Sequence, residues 1–189
     1  LSKLGEALRN DIAFVSEDRR GVGLLLGESI ERNITFSAMQ IKDEFLKRIG
    51  FIKILDKAKA DQHTRDMIEL LDIRCTGPSQ VVGSLSGGNQ QKVCLARAIT
   101  MKPKILVVSE PTRGIDIGAK KLVLEHLTKM NREHGTTIVM ISSELVELRS
   151  LCDRIAIVSE GNVFSIMRPD DSDAAFGLAM AGVREEVSA

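Results

Sequence analysis

The sequence contains neither tryptophan nor tyrosine, and its 189 residues include only three cysteines and four prolines. Without Trp and Tyr, the chain lacks the usual stacking platforms for single-stranded nucleic acid. Lys plus Arg and Asp plus Glu both number 26, so the charge balance indicates neither a nucleic-acid partner nor an acidic disordered tail. The longest apolar runs, such as residues 138–141, are far too short to span a bilayer.

The three cysteines, Cys75, Cys94 and Cys152, form no CxxC pair. Their odd number and wide spacing argue against a disulfide framework and against a zinc site, and favour reduced thiols in a cytosolic protein. Hydrophobic residues make up 43% of the sequence and charged residues 28%, which is the composition of a soluble globular protein. The length allows one domain with a hydrophobic core, or a core with a subdomain.

Residues 82–116 organise the rest of the chain. A Gly-rich turn at residues 84–89 precedes apolar residues at helical spacing, and Lys102-Pro103 ends that helix. Residues 105–108 (ILVV) form a continuous apolar run, which is typical of a strand covered on both faces. Glu110 then follows the carboxyl end of the strand, at the edge where open α/β sheets bind ligands.

The remaining pattern predicts an α/β fold in which parallel strands alternate with helices, with a C-terminal hairpin as an antiparallel edge. We assign residues 1–27 to the start of the core, 28–82 to an inserted helical subdomain without strands, 83–168 to the rest of the core, and 169–189 to a C-terminal helix and tail. Strands are predicted at residues 11–15, 136–141, 154–158 and 163–166. Helices are predicted at residues 1–9, 30–39, 119–134, 144–151 and 171–181, and in the charged block 42–73, with Asp61 or Thr64 as a cap.

The turn at residues 85–91, LSGGNQQ, opens a helix. Paired glycines let a backbone approach a ligand closely, Ser86 offers a hydroxyl, and the free amides at the start of a helix favour an anion. On the Gly-Gly pair alone, an ordinary glycine turn with a serine cap is the better interpretation. The glycines at Gly21 and Gly23 begin a GxGxxG pattern, but Leu26 stands where the third glycine is needed.

LSGGNQQKV, followed after one helix by ILVVSEPTRGID, resembles the signature motif, Walker B strand, catalytic glutamate and D-loop of ATP-binding cassette (ABC) ATPases. The doubled glutamine, the TRGID sequence and an early EDR at residues 17–19 resemble the second cassette of tandem ATPases in ribose-, galactose- or xylose-type bacterial importers. The nucleoside-importer branch is a close alternative. The resemblance covers residues 11–161 and implies a P-loop NTPase-like parallel sheet that lacks its Walker A portion.

The resemblance also implies roles for individual residues. The signature residues would bind ATP held by the opposing cassette; they are Ser86, Gly87, Gly88 and Gln90. Glu110 would polarise the attacking water, although Glu-Pro alone is more often a surface turn. Gly114 and Asp116 would belong to the D-loop at the cassette interface, and Asp116 is also a plausible cap for the next helix.

The sequence departs from the family pattern at four places. No GxxxxGK[ST] phosphate loop occurs, because Asn89 follows Gly88 where a lysine is required, so the chain resembles the part of a cassette that comes after that loop. Ser109 stands where the Walker B aspartate is expected, and a neutral hydroxyl is a poorer partner for Mg²⁺. Glu17 occupies the Q-loop glutamine position, and Ser143 occupies the switch-histidine position. His63, His126 and His134 lie elsewhere and are interpreted as helix-surface residues.

By resemblance, we expect a segment of an importer ATPase that binds ATP and Mg²⁺ only within the full-length protein and is inactive alone. Its partners would be the first cassette of the same protein, in a head-to-tail nucleotide sandwich, and a membrane permease at the cytoplasmic face of the membrane. Residues 21–34 and Phe36 would line the permease site, although Leu24, Leu25 and Leu26 could equally pack into the core. A periplasmic or lipoprotein sugar-binding protein would act indirectly, and no nucleic acid is expected.

Two alternatives come from other functional classes. A non-catalytic regulatory or interaction domain derived from a cassette is favoured by Ser109, Glu17 and Ser143, and disfavoured by the intact LSGGNQQ and Glu110. A soluble ABC ATPase of repair or translation is disfavoured by the balanced charge and by the sugar-importer type of the signature.

Overall fold

The computed structural model describes residues 2–183, with side chains for all of these except residues 2–4 and 20. The described helices are α1 (Ser2–Arg9), α2 (Ile30–Lys42), α3 (Lys57–Leu70), α4 (Gly87–Thr100), α5 (Ile117–His134), α6 (Leu145–Leu151) and α7 (Asp173–Met180). The described strands are β1 (Ile12–Val15), β2 (Leu46–Ile49), β3 (Ile52–Leu55), β4 (Ile105–Ser109), β5 (Thr137–Ile141), β6 (Ile155–Ser159) and β7 (Asn162–Met167). The chain divides into two compact units, Leu1–Ile141 and Ser142–Ala189.

The first unit is built on a three-stranded parallel sheet with the order β1-β4-β5. Phe14, Val107 and Val139 lie side by side across the three strands. The helix α4 lies between β1 and β4 in sequence, and α5 connects β4 to β5. The predicted parallel α/β core is therefore confirmed.

The two faces of this sheet are in different environments. Ala13, Val15, Leu106 and Val108 are at most 2% exposed and belong to one hydrophobic cluster with side chains of α4 and α5. The opposite face, which we call the open sheet face, carries apolar side chains that are 37–52% exposed: Phe14, Ile105, Val139 and Ile141. Parallel sheets are normally covered on both faces, so the open sheet face has the composition of an interface.

Capping residues define the long helices that the sequence predicts. Ser86 and Asp116 cap α4 and α5, because their side chains accept the backbone N–H groups of Asn89 and Ala119. At the other end of α5, Gly135 is left-handed at φ +68° and returns its own N–H to the helix. Polar side chains before the first turn and glycine after the last one thus set both boundaries of α5.

Two strand predictions are wrong. Residues 46–55 are not helical but form the antiparallel hairpin β2-β3, with Gly50 at φ +60° in its turn. The IKI sequence at residues 52–54 has the alternation of a strand, whereas LKRI at residues 46–49 does not. The helix α3 begins only after the cap at Asp56, not at Asp61 or Thr64. The hairpin β6-β7 is a two-stranded sheet of its own and not an edge of the parallel sheet.

The second unit contains α6, the hairpin β6-β7 and α7. Its small core consists of Ile155, Met167, Phe176 and Ala179, which are at most 8% exposed. Arg149 strengthens this core, because its guanidinium lies 5.2 Å from the centroid of the Phe176 ring and donates 2.8 Å to the Pro169 carbonyl. Across the described part of the chain, every helix is too short or too polar to cross a membrane.

The unequal faces of β4 predict unequal costs for two neighbouring substitutions. Leu106→Ala should lower the free energy of unfolding of this chain by about 2–5 kcal/mol, because it leaves a cavity in the core. Ile105→Ala, the matched control on the open sheet face, should cost less than about 1 kcal/mol. Urea unfolding followed by circular dichroism measures both, and equal losses would contradict the assignment of the faces.

Candidate functional site

The site is organised by the turn that opens α4. Ser86 Oγ accepts hydrogen bonds from the Asn89 amide at 3.4 Å and from Asn89 Nδ2 at 3.0 Å. Ser86 and Gly87 are themselves exposed. The first N–H groups of an α-helix have no partner within it, so the turn presents backbone donors and a hydroxyl to its surroundings. This is the chemistry of an anion site.

Gly88 brings the turn against the loop after β4. A Cβ added to Gly88 would lie 2.8 Å from the Gly114 carbonyl oxygen, closer than Cβ atoms approach backbone oxygens. Gly114 itself has φ +72°, which favours glycine. The predicted signature and D-loop positions are therefore in direct backbone contact, and a side chain at residue 88 would push them apart.

Gln90 holds this turn through hydrogen bonds on its buried side. Its side chain is 3% exposed, and Nε2 donates to the carbonyls of Val82 at 3.3 Å and Leu85 at 3.2 Å. The expectation that Gln90 contacts ATP does not fit this placement, because its amide faces the protein interior. Gln91 is equally buried and donates from Nε2 to the Glu110 carbonyl at 3.3 Å. The doubled glutamine of the sequence therefore links α4 to the loops on both sides of it.

Glu110 follows β4 in a constrained conformation. Its φ is +48°, which is uncommon for a residue other than glycine, and its N–H donates to the Ile141 carbonyl at 2.8 Å. Ser109 pairs in register with Ile141 in the sheet. Backbone strain of this kind persists only where the surroundings fix it, and it is concentrated at functional sites. Glu110 therefore lies directly after the carboxyl end of β4, where the sequence predicts it.

The loop after β1 reaches the same region. Its Glu17 carboxylate pairs with Arg113 at 3.1 Å, next to the Gly114 loop. Arg19 Nη1 donates to the Gly87 carbonyl. A dispersed set of sequence positions therefore meets at one place: residues 17–19, 86–88 and 110–114. Sequence analysis missed Arg19 and Arg113, and the charged EDR and TRG runs were the signal available for them.

Asp116 acts as the cap of α5. The Ala119 amide, which donates to Asp116 Oδ1 at 3.1 Å, holds the pKa of that carboxyl below its usual range, and the positive charges of Arg74 and Lys92 act in the same direction. A lowered pKa means that the stabilisation by this cap is present near neutral pH and is lost as the pH falls through the lowered value. The sequence named both roles for Asp116, and the structure supplies the capping one.

The sequence also singles out Ser143 and the histidines. Ser143 is exposed in the second unit, at a bend that follows β5. Two histidines that were expected on helix surfaces instead connect neighbouring elements. His63 Nε2 lies 2.8 Å from Thr100 Oγ1, and His126 Nε2 donates to the Leu70 carbonyl at 2.7 Å. Within residues 2–183, the side chains described include no group of three His, Cys, Asp or Glu residues that could hold a metal ion.

A family model described as ABC transporter matches residues 3–113, which is more than half of the chain. The chain belongs to the ABC transporter family. Similar proteins include "Ribose import ATP-binding protein RbsA" of Bacillus cereus, 37% identical over 176 residues, covering 93% of this chain and 34% of that protein. The protein of the same name in Clostridium tetani is 40% identical over 158 residues, with 84% and 30% covered. The chain thus spans about a third of the length of these relatives.

Solved ABC cassettes share the fold. The dimeric, post-hydrolysis ATP-binding cassette MJ0796 bound to ADP and Pi superposes with a TM-score of 0.75 at 20% identity, covering 90% of this chain and 68% of that one. A dimeric structure of the same protein, described as a bacterial ABC transporter cassette, gives 0.73 at 21% identity. The fold of this ABC family member is therefore that of an ATP-binding cassette, matched over about two thirds of the cassette.

The contact between Gly88 and Gly114 predicts a steric cost at one glycine and not at another. Gly88→Ala should lower the free energy of unfolding by about 1–3 kcal/mol, because the new methyl group meets a backbone oxygen. Gly118→Ala, within α5, should instead raise it by about 0.5–1 kcal/mol, because the nearest atom is at an ordinary 3.6 Å and alanine favours helix. Denaturant unfolding of both variants decides, and a tolerated Gly88→Ala would exclude the close contact.

Proposed function

We propose that this chain is the later part of the second nucleotide-binding domain of a bacterial sugar importer, and that it presents its signature turn to ATP held by the first cassette. The observation that carries this proposal is the turn at residues 86–88, which is exposed at Ser86 and Gly87 and held between the residue 17–19 loop and Gly114. The relatives named as ribose import ATP-binding proteins support a sugar as the transported substrate. A nucleoside is the close alternative.

The signature turn fits a phosphate group. Ser86 offers its hydroxyl, and the amides of Gly87 and Gly88 stand at the positive end of a 14-residue helix. Arg19 adds positive charge beside the turn, because its guanidinium donates to the Gly87 carbonyl, and the Arg74 backbone donates to Asn89 Oδ1. A γ-phosphate delivered by an opposing cassette would thus meet hydrogen-bond donors with little rearrangement of this chain.

The half-site that contains Glu110 is proposed to be weak in hydrolysis. Glu110 would orient the attacking water, and Mg²⁺, when bound, would neutralise charge on the phosphates. The hydroxyl of Ser109 lies where a carboxylate would favour that cation, and hard cations prefer charged oxygen ligands. The phosphate loop would come from outside this chain, so we expect the isolated chain to bind nucleotide negligibly.

The permease is proposed to bind beside the loop after β1. Val22 is 74% exposed and Leu25 is 45% exposed, whereas Leu24 is buried, so only part of this apolar segment packs into the core. Asn33 holds the Leu25 backbone on both sides, with bonds of 2.8 Å and 3.0 Å. A held apolar surface of this kind suits a short segment of a membrane subunit. The protein would then be peripheral at the cytoplasmic face of the membrane, with a sugar-binding protein acting through the permease.

The open sheet face is proposed to contact the rest of the cassette. The solved cassettes are matched over 68% of their length, so about a third of such a domain has no counterpart here. Parallel sheets in α/β proteins are covered on both faces, and the exposed Phe14 and Ile141 supply an apolar surface for that cover.

One specific observation favours a second candidate, a non-hydrolysing regulatory domain. Ser109, Glu17 and Ser143 all replace family residues of the hydrolytic machinery. Glu17 is engaged with Arg113, so it is bound to the chain's own loop in this structure. Such a domain would bind nucleotide at its signature without contributing to turnover.

Ser86→Arg in the full-length ATPase, assembled with its permease, should lower transport-coupled ATP turnover by about 100-fold, because a bulky cation replaces the hydroxyl at the phosphate position. Ser79→Arg, an exposed serine in the preceding loop, is the matched control and should leave turnover unchanged. Phosphate release at saturating ATP measures both. Unchanged turnover in Ser86→Arg would rule out the contribution of this turn to the ATP site.

Ser109→Asp should raise turnover of the full-length protein and lower the Mg²⁺ concentration needed for half-maximal activity by about 10-fold, since it restores a charged oxygen ligand. Ser109→Asn adds a side chain of similar size without charge and should do neither. A Mg²⁺ titration of ATP hydrolysis compares the two variants. If Asp and Asn behave alike, Ser109 does not limit this half-site.

A further inference from the structure

Arg19 contacts three loops of the site, and the EDR motif that contains it carries no assigned role for its side chain. Its Nη1 donates to the Gly87 carbonyl, and its guanidinium lies beside two glycines of different loops. A Cβ on Gly87 would be 3.3 Å from Nη1, and a Cβ on Gly114 would be 3.9 Å from it. The absence of a side chain at Gly87 therefore makes room for the guanidinium, which lies within ordinary contact distance of the Gly114 position in the loop after β4.

The backbone that carries Arg19 is held in place. Residues 19–23 form one π-helical turn, capped by Asp18, whose Oδ1 accepts the Gly21 amide at 2.9 Å and whose carbonyl accepts the Gly23 amide at 2.9 Å. Gly23 lies against α4, because an added Cβ would be 3.2 Å from Cys94 Sγ. The turn is thus packed on α4, the same helix whose first residue Arg19 binds. The backbone of Arg19 and the carbonyl that accepts its hydrogen bond are therefore held by one helix.

An ion pair connects the loop after β1 to the loop after β4. Glu17 and Arg113 meet at 3.1 Å, so the loop after β1 binds the loop after β4 through a carboxylate and binds the signature turn through the Arg19 guanidinium. The pair is exposed on both sides, at 53% and 67%, and by itself contributes little. Arg19 is half-buried and binds a backbone carbonyl, which is the firmer of the two connections.

From this geometry we infer that Arg19 is a positioning residue that holds the signature turn and the residue 114 loop as one body with the loop after β1. The inference rests on the proposed function, because it gives the signature turn its orientation toward nucleotide. Any movement of the loop after β1, which adjoins the proposed permease surface at Val22 and Leu25, would be passed to Gly87 through this side chain.

A guanidinium suits this position better than an ammonium does. The Arg19 guanidinium donates to the Gly87 carbonyl and lies beside two glycines, whereas a lysine ammonium is a point donor on a flexible stem. Arg19→Lys should therefore restore the contact with Gly87 in part, and Arg19→Gln should lose most of it.

The test uses the full-length ATPase in its transport complex, with Arg19→Gln, Arg19→Lys and the control Arg65→Gln, an arginine of the exposed face of α3 that pairs with Asp61. Arg19→Gln should lower kcat about 10-fold and leave KM for ATP within about twofold, because loss of a charge-assisted hydrogen bond disorders the turn while the opposing cassette still holds the nucleotide. Arg19→Lys should lie between, and Arg65→Gln should match the parent protein.

Hydrogen exchange of the same proteins without nucleotide tests the connection independently of turnover. In Arg19→Gln, amides of residues 87–89 and 114–116 should exchange about 10-fold faster, and those of the β4 core should not change. The inference is overturned if exchange in Arg19→Gln is unchanged, or if exchange is faster but kcat is unchanged. In either case an inactive Ser86→Arg variant would still support the proposed function. If Ser86→Arg remains fully active, the proposed function fails and the positioning role fails with it.

Discussion

The burial of most of α4 is the constraint on which the rest of the first unit depends. Nine of its 14 residues are buried, among them Val93, Leu95 and Ala96, which are at most 1% exposed. Each large apolar side chain of this kind contributes about 1.5–3 kcal/mol relative to an exposed one. Because the helix is fixed by its sides, its first turn is fixed as well, and the close contact of Gly88 with Gly114 follows from where the helix has to lie.

Polar groups along α4 extend that constraint to the surrounding loops. Lys92 is 2% exposed, yet its Nζ reaches the Asp72 carbonyl at 2.5 Å, and Gln91 binds the carbonyl of Glu110. A buried polar group without a partner is costly, so these contacts determine where the adjoining loops can run. The proposed phosphate site and the strained Glu110 are thereby both held by the first two turns of one helix.

Much of this arrangement was predictable because it depends on local rules. The cap at Ser86, the presence of strand β4 and the end of α5 at Gly135 all follow from residue types at fixed offsets, although β4 is buried on one face and not on both as expected. The long-range contacts were not predictable: Glu17 and Arg113 are 96 positions apart, and no spacing rule pairs them. The β2-β3 hairpin was missed because Phe45, Ile49 and Ile52 also fit a helical period, and the inward direction of Gln90 is a property of packing that the signature motif does not encode.

The central claim is that the turn at residues 86–88 contacts the γ-phosphate of ATP held by another cassette. Its most direct test is photocleavage of the full-length transport complex after vanadate has been trapped in place of that phosphate, because irradiated vanadate cuts the backbone beside it. The account predicts a nucleotide-dependent cut at Ser86, mapped by mass spectrometry and abolished when Ser86 is replaced by alanine. A cut in the phosphate loop of the first cassette with none at residues 86–88 would contradict it.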